Sequence, residues 1–154
     1  MRRILCQALL IVVLGSAIGL VVNWFSPRRI PWLRPPKMKL AANDLISLEQ
    51  ATVLWKSGEA IFLDARPPTA YADGHIVGAL SLPIESFDVF FPKVQPRLAT
   101  DMMLVLYCDG EHCDDSHRLL LKLRALGYAN TRVLVNGWTR WRSAKLPTVT
   151  GEQP

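Results

Sequence analysis

The sequence predicts an α/β fold, a parallel sheet of about four to five strands with helices on both faces, preceded by an N-terminal transmembrane helix. Three observations carry that expectation. Short segments of strand type at residues 60–64, 79–82, 103–107 and 132–135 alternate with stretches of helical periodicity. The runs AIFLD and MLVLY are continuously apolar until their last residue, the habit of strands covered on both faces of a sheet. Ahead of them, residues 4–25 contain no charged side chain.

At 1.5 Å per residue that uncharged stretch extends about 33 Å as a helix, enough for the roughly 30 Å hydrocarbon core of a bilayer. Met1-Arg2-Arg3 would also serve as the n-region of a signal peptide, and Gly15-Ser16-Ala17 offers small residues. The apolar run continues through Ile18 to Val22 with no A-x-A-like site after it, so an uncleaved anchor is expected. Trp24 and Trp32 suit an interfacial belt. Residues 26–42 hold Pro27, Pro31, Pro35 and Pro36, which favour a stiff extended linker. The expected organisation is an anchor at 1–26, a basic Pro-rich linker at 27–43, one folded domain at 44–149 and a tail at 150–154.

Charge follows the same division. The 13 acidic residues all lie at Asp44 or beyond, whereas Arg2, Arg3, Arg28, Arg29, Arg34, Lys37 and Lys39, of 18 basic residues, precede it. The net charge of +5 therefore belongs to the flanks of the apolar segment, where lipid headgroups or topology explain it. The folded part has no basic run interleaved with aromatics, which argues against nucleic acid as a partner. Five basic residues after the segment against two and the amino terminus before it lean towards a cytoplasmic domain.

Within the domain, Ser47-Leu48-Glu49-Gln50 fits a capping box, and the helix it opens should end at Gly58. Residues 67–73 suit a short helix opened by proline and closed by Gly74. A further helix is expected at 85–94, with Phe87, Phe90 and Phe91 facing inward. From Asp114, the positions Leu119, Leu120, Leu123 and Leu126 mark one helical face, and Gly127 closes the helix. Residues 137–143 form the last expected helix, with Trp138 and Trp141 in the core.

Residues 103–116 read MLVLYCDGEHCDDS. An apolar strand ends at Cys108, a short polar loop follows, and Cys113 stands where a helical pattern begins. Crevices at the carboxyl ends of parallel strands bind ligands, and a helix N-terminus favours a thiolate. Three cysteines make no disulfide framework, and Cys6 lies in the apolar segment. Cys108 is thus the candidate nucleophile.

Asp64-Ala65-Arg66, Tyr71, the run from Gly74 to Ala79 (GHIVGA) and Pro83 resemble the first half of a rhodanese-like domain, whose pattern is D-x-R…Y…G-H-I-x-G-A…P. Tyr107-Cys108 with its loop and helix, Gly127-Tyr128, and Gly137 through Trp141 resemble the second half. The resemblance covers residues 45–147. It implies sulfurtransferase chemistry without a cofactor: Cys108 accepts sulfane sulfur from a donor, carries it as a persulfide and passes it to a thiol-type acceptor. The backbone amides of Asp109, Gly110, Glu111, His112 and Cys113 are the implied cradle for the sulfur, an anion nest in physical terms.

Two departures bear on the substrate. Many active family members have arginine at the fifth position after the cysteine, where this chain has Cys113. Asp109, Glu111, Asp114 and Asp115 oppose a thiolate and repel anionic donors, which disfavours thiosulfate and suits a neutral or protein-borne persulfide. Cys113 is a candidate resolving thiol, in which case the same fold could be a redox-sensing or binding module using a Cys108/Cys113 pair; the other reading is an inert helix-start residue. Cys108, His112, Cys113 and His117 also contain potential metal ligands, but a cradle loop turns amides inward and side chains outward, so no metal is expected and both histidines are placed in solvent. His75 is expected to satisfy nearby backbone, and Asp64 with Arg66 to form a structural pair. A phosphatase loop would be one residue longer and end in arginine; Asp114 stands there instead.

Overall fold

The computed structural model describes residues 2–25, 40–110 and 114–152, and the chain divides into the units Met1–Lys37 and Met38–Pro154. In the first unit, α1 (Arg2–Phe25) contains an apolar stretch over Cys6–Asn23 with mean hydropathy 2.1, long and apolar enough to cross a membrane. A signal sequence has the same properties. Most of the linker, Trp32 and the side chain of Trp24 lie outside the described residues.

The second unit opens with α2 (Leu48–Ser57) and its predicted capping box. Gln50 N–H donates to Ser47 Oγ and Ser47 N–H to Gln50 Oε1, both at 3.2 Å, and Gly58 ends the helix in the left-handed conformation. Next come β1 (Ala60–Asp64), α3 (Pro68–Asp73), β2 (His75–Ile76), β3 (Leu80–Ser81), α4 (Phe87–Val94) and β4 (Met103–Tyr107). The chain continues through α5 (Asp115–Ala125), β5 (Thr131–Leu134), α6 (Gly137–Ser143) and β6 (Thr148–Val149).

Strands β3, β1, β4 and β5 lie in that order and are all parallel, as the buried apolar runs predict. Side chains alternate across the sheet. Leu63, Leu104, Leu106 and Cys108 join Leu119, Leu120 and Leu123 of α5 in one core, while Phe62, Val105 and Tyr107 join Ile46, Trp138 and Trp141 in the other. Trp141, fully buried, meets Trp55 and Phe62 edge to face at 5.7 Å.

Three details differ from expectation. A second sheet, the antiparallel pair of β2 with β6, was absent from the predicted pattern, because two-residue strands carry no periodicity. Leu126, assigned to the buried face of α5, is 49% exposed because the helix ends at Ala125 and Leu126 occupies its C-cap. Strand β5 begins one residue early at Thr131, whose register partner on β4 is Leu104.

Candidate active site

The order of the strands creates the site. From β1 the chain crosses to β3 on one side and returns to β4 on the other, so the crevice between the carboxyl ends of β1 and β4 is a topological switch point. Ala65 and Cys108, the residues just beyond those ends, flank it, and Ala65 N–H donates to Tyr107 O at 2.9 Å.

Asp64 and Arg66 close one wall. Arg66 Nε donates to both Asp64 carboxylate oxygens and Nη2 to Oδ2 at 2.6–3.1 Å, Arg66 N–H adds a fourth hydrogen bond, and Nη2 also donates to Gly74 O at 2.6 Å. Both side chains are buried. Burial works against the guanidinium charge, but the hydrogen bonds and charge of Asp64 more than compensate and raise the Arg66 pKa. His75 stacks on Tyr71 with ring centroids 3.6 Å apart, and its Nδ1 is 2.9 Å from Tyr71 O. Both features are the structural roles expected from sequence.

Tyr107 lies under the crevice, where its hydroxyl accepts from Ile76 N–H at 3.2 Å. Burial, reinforced by the Asp64 charge, pushes its pKa well above the ordinary value.

Cys108 follows β4 in the direction set by Leu104 and Leu106, so its side chain enters the core beneath the start of α5. It is 1% exposed, and its Sγ is 3.3 Å from Ser116 Oγ in the first turn of that helix. Cys108 is disulfide-bonded, so in this contact the serine hydroxyl is the donor. Trp138 N–H donates to Cys108 O at 3.2 Å. Gly137 permits this approach of α6: a Cβ there would lie 2.6 Å from Tyr107 Cβ.

The start of the loop is held by the same corner. Gly110, with φ 83°, donates its N–H to Asn136 Oδ1 at 3.0 Å, and Thr139 Oγ1 donates to Asp109 Oδ1. Asn136 itself adopts the left-handed conformation before α6. Of the residues expected to form a cradle, Asp109 and Gly110 are thus placed beside α6, while Glu111, His112 and Cys113 lie outside the described residues. Asp115 has its pKa raised by burial, with Glu85 and Asp114 adding to the effect and Arg118 opposing it. Arg118 pairs with both Glu85 and Asp115.

His117 corrects an expectation. Its Nδ1 is sealed from solvent with no hydrogen-bond partner among the described residues, because the side chain folds against the body of the domain rather than projecting into water. Ser116, Asn136 and Thr139 were not singled out from sequence. The Asn136-Gly137 pair carries a turn signal, but nothing local announces that this turn meets the loop after Cys108.

A parallel α/β sheet that delivers a cysteine to its switch point, beneath a helix start, defines a cysteine-centred α/β domain. The family model of the rhodanese-like domain matches residues 47–144, and the chain belongs to that family. It is 35% identical over 98 residues to the thiosulfate sulfurtransferase GlpE of Pseudomonas entomophila, covering 64% of this chain and 84% of that protein. It is 33% identical over 99 residues to the HTH-type transcriptional regulator Rv0324 of Mycobacterium tuberculosis, covering 62% of this chain and only 40% of the regulator. The solution structure of the rhodanese-like domain of Alr3790 from Anabaena superposes with a TM-score of 0.58 at 25% identity, covering 70% of this chain and 79% of that one. The family match and the likeness to GlpE support an enzyme of sulfurtransferase type.

Proposed function

We propose that this protein carries sulfane sulfur as a persulfide on Cys108 and hands it to a thiol acceptor. The reduced Cys108 thiolate attacks the terminal sulfur of a donor persulfide; a Cys108 S–S bond forms, the donor S–S bond breaks and the donor leaves as a thiolate. An acceptor thiolate then attacks the outer sulfur, forms its own persulfide and releases Cys108 as thiolate, with no net oxidation. The observation that carries this reading is the placement of Cys108 at the switch point with the Ser116 hydroxyl on its sulfur. The N-terminus of α5 and that hydroxyl both favour an anionic sulfur, against the opposing effects of burial and the surrounding acids. Likeness to a thiosulfate sulfurtransferase adds support, although the acids around the loop favour a neutral or protein-borne donor over thiosulfate. We read residues 4–25 as a lipid-embedded anchor with the domain on the cytoplasmic side, and the linker charges as facing lipid headgroups rather than nucleic acid.

The test is sulfur transfer by the full-length, reduced chain from a persulfide donor to a thiol, followed in wild type, Cys108→Ser and Cys113→Ser. Transfer lost only with Cys108 fits a simple carrier; equal transfer in Cys108→Ser refutes it. The disulfide at Cys108 favours a second reading, a redox module that uses a Cys108/Cys113 thiol pair without turnover. Reversible oxidation of that pair under non-reducing mass mapping, with no transfer to thiols or cyanide, would select it.

A further inference from the structure

A cavity of about 420 Å³ lies at the β3 edge of the four-stranded sheet, walled by residues of α3 and α4. Its volume falls within the roughly 300–1,000 Å³ of small-molecule sites. No residue of the Cys108 loop is among the described residues of its wall. Pro68 and Ala72 of α3 and Phe90 of α4 supply apolar surface, while Lys93, Arg97 and Glu152 bring charge.

Two acids of this region are already matched: Asp88 of α4 pairs with Lys122, and Glu85 just before that helix pairs with Arg118. The bases at the cavity are not. Neither Lys93 nor Arg97 has an ion pair among the described residues. They stand four positions apart on a continuous helical run, a spacing at which like charges repel. Burial raises the Tyr71 pKa, and Arg97 is close enough for its charge to oppose that rise. The acid on the wall comes from the tail: Gly151 N–H donates to Ala72 O at 2.9 Å, which sets the chain against α3 and brings Glu152 to the cavity. One acid against two bases leaves a surplus of one positive charge. That surplus adjoins the aromatic surface, since Lys93 Nζ is 5.3 Å from the Phe90 ring centroid. A bare inorganic anion would match the charge and leave the apolar wall in water, whereas a neutral apolar molecule would cover the wall and leave the bases unmatched.

We infer that this cavity binds a small monoanion with an apolar body, an aryl or short alkyl carboxylate, with Lys93 and Arg97 on the head and Pro68, Ala72 and Phe90 against the body. Glu152 holds the affinity down by repelling the head. The site is independent of the sulfur chemistry proposed for Cys108.

The experiment titrates the full-length chain in neutral detergent micelles with 3-phenylpropionate and, separately, octanoate, following ligand NMR line broadening with empty micelles as background. At least one carboxylate should bind with a Kd about fivefold below that of its own amide, the scale of one partly exposed charge contact. Lys93→Gln and Arg97→Gln should each raise that Kd about threefold, and Glu152→Gln should lower it about threefold. A misfolded variant does not bind more tightly, so the Glu152 result separates charge from folding. Whichever carboxylate binds more tightly tells whether the body is aromatic or aliphatic. No binding above the micelle background, equal affinity for acid and amide, displacement by an equal concentration of inorganic phosphate, or charge variants without effect would each overturn the inference. Sulfur loading of Cys108 tests the carrier reading separately, and neither result decides the other.

Discussion

Replacing Ser116 with alanine isolates a hydroxyl contact on the proposed reacting sulfur. The Oγ to Sγ distance of 3.3 Å lies within hydrogen-bonding range for sulfur, and both residues are about 1% exposed, so water does not take the place of the lost donor. A hydrogen bond to a charged group contributes about 1.5–3 kcal/mol, and one pKa unit corresponds to about 1.4 kcal/mol. The Cys108 thiol should therefore be less readily ionised in Ser116→Ala, and its alkylation profile should move to higher pH. The assay is the pH dependence of iodoacetamide alkylation, resolved to the Cys108 peptide, in reduced protein carrying Cys113→Ser so that the thiol stays free. Ser116→Thr, which retains the hydroxyl, should restore much of the shift. An inflection that does not move in Ser116→Ala would refute a role for the hydroxyl in holding an anionic sulfur, because a purely structural serine has no reason to change the titration in that direction.

Other consequences follow from the packing around the site. Gly137→Ala places a Cβ against Tyr107 and should destabilise the domain by about 1–3 kcal/mol, read as a lower urea midpoint; unchanged stability would mean that α6 can withdraw from β4 freely. Asp64→Asn leaves the buried Arg66 without its counter-charge and should be more severe, about 3–5 kcal/mol by the same denaturation. Tyr107 and Tyr71 both have raised pKa values, chiefly through burial, so the folded state holds protons that the unfolded chain releases. Their contribution to stability is full below the unfolded value of about pH 10 and is lost as pH rises beyond it towards the folded values. Thermal unfolding followed from pH 8 upward should show the decline beginning near pH 10 in wild type and reduced in Tyr107→Phe.

Much of this architecture was legible because single strong local signals determine it. Continuous apolar runs marked β1 and β4, Ser47 and Gln50 marked the start of α2, and an apolar strand ending before Cys108 pointed to the candidate site. Asp64, Arg66 and His75 were legible as structural residues because buried polar groups must find partners and theirs are close in the chain. The contacts that were missed depend on docking between elements. Ser116 reaches Cys108 only because α5 begins over the end of β4, and Asn136 reaches Gly110 across 26 positions because Gly137 lets α6 approach that strand. His117 was placed in solvent because nothing in its helical position tells which side of the first turn the body of the domain will cover. The pairing of β2 with β6 joins residues more than 70 positions apart through strands too short to show a period.

The proposed carrier role of Cys108 is tested most directly by loading it with sulfur. Full-length reduced chain treated with a persulfide donor should gain the mass of one sulfur atom, and peptide mapping should place it on Cys108, with none in Cys108→Ser. Absence of any sulfur adduct, or an adduct found on Cys6 with Cys108 unmodified, would contradict it.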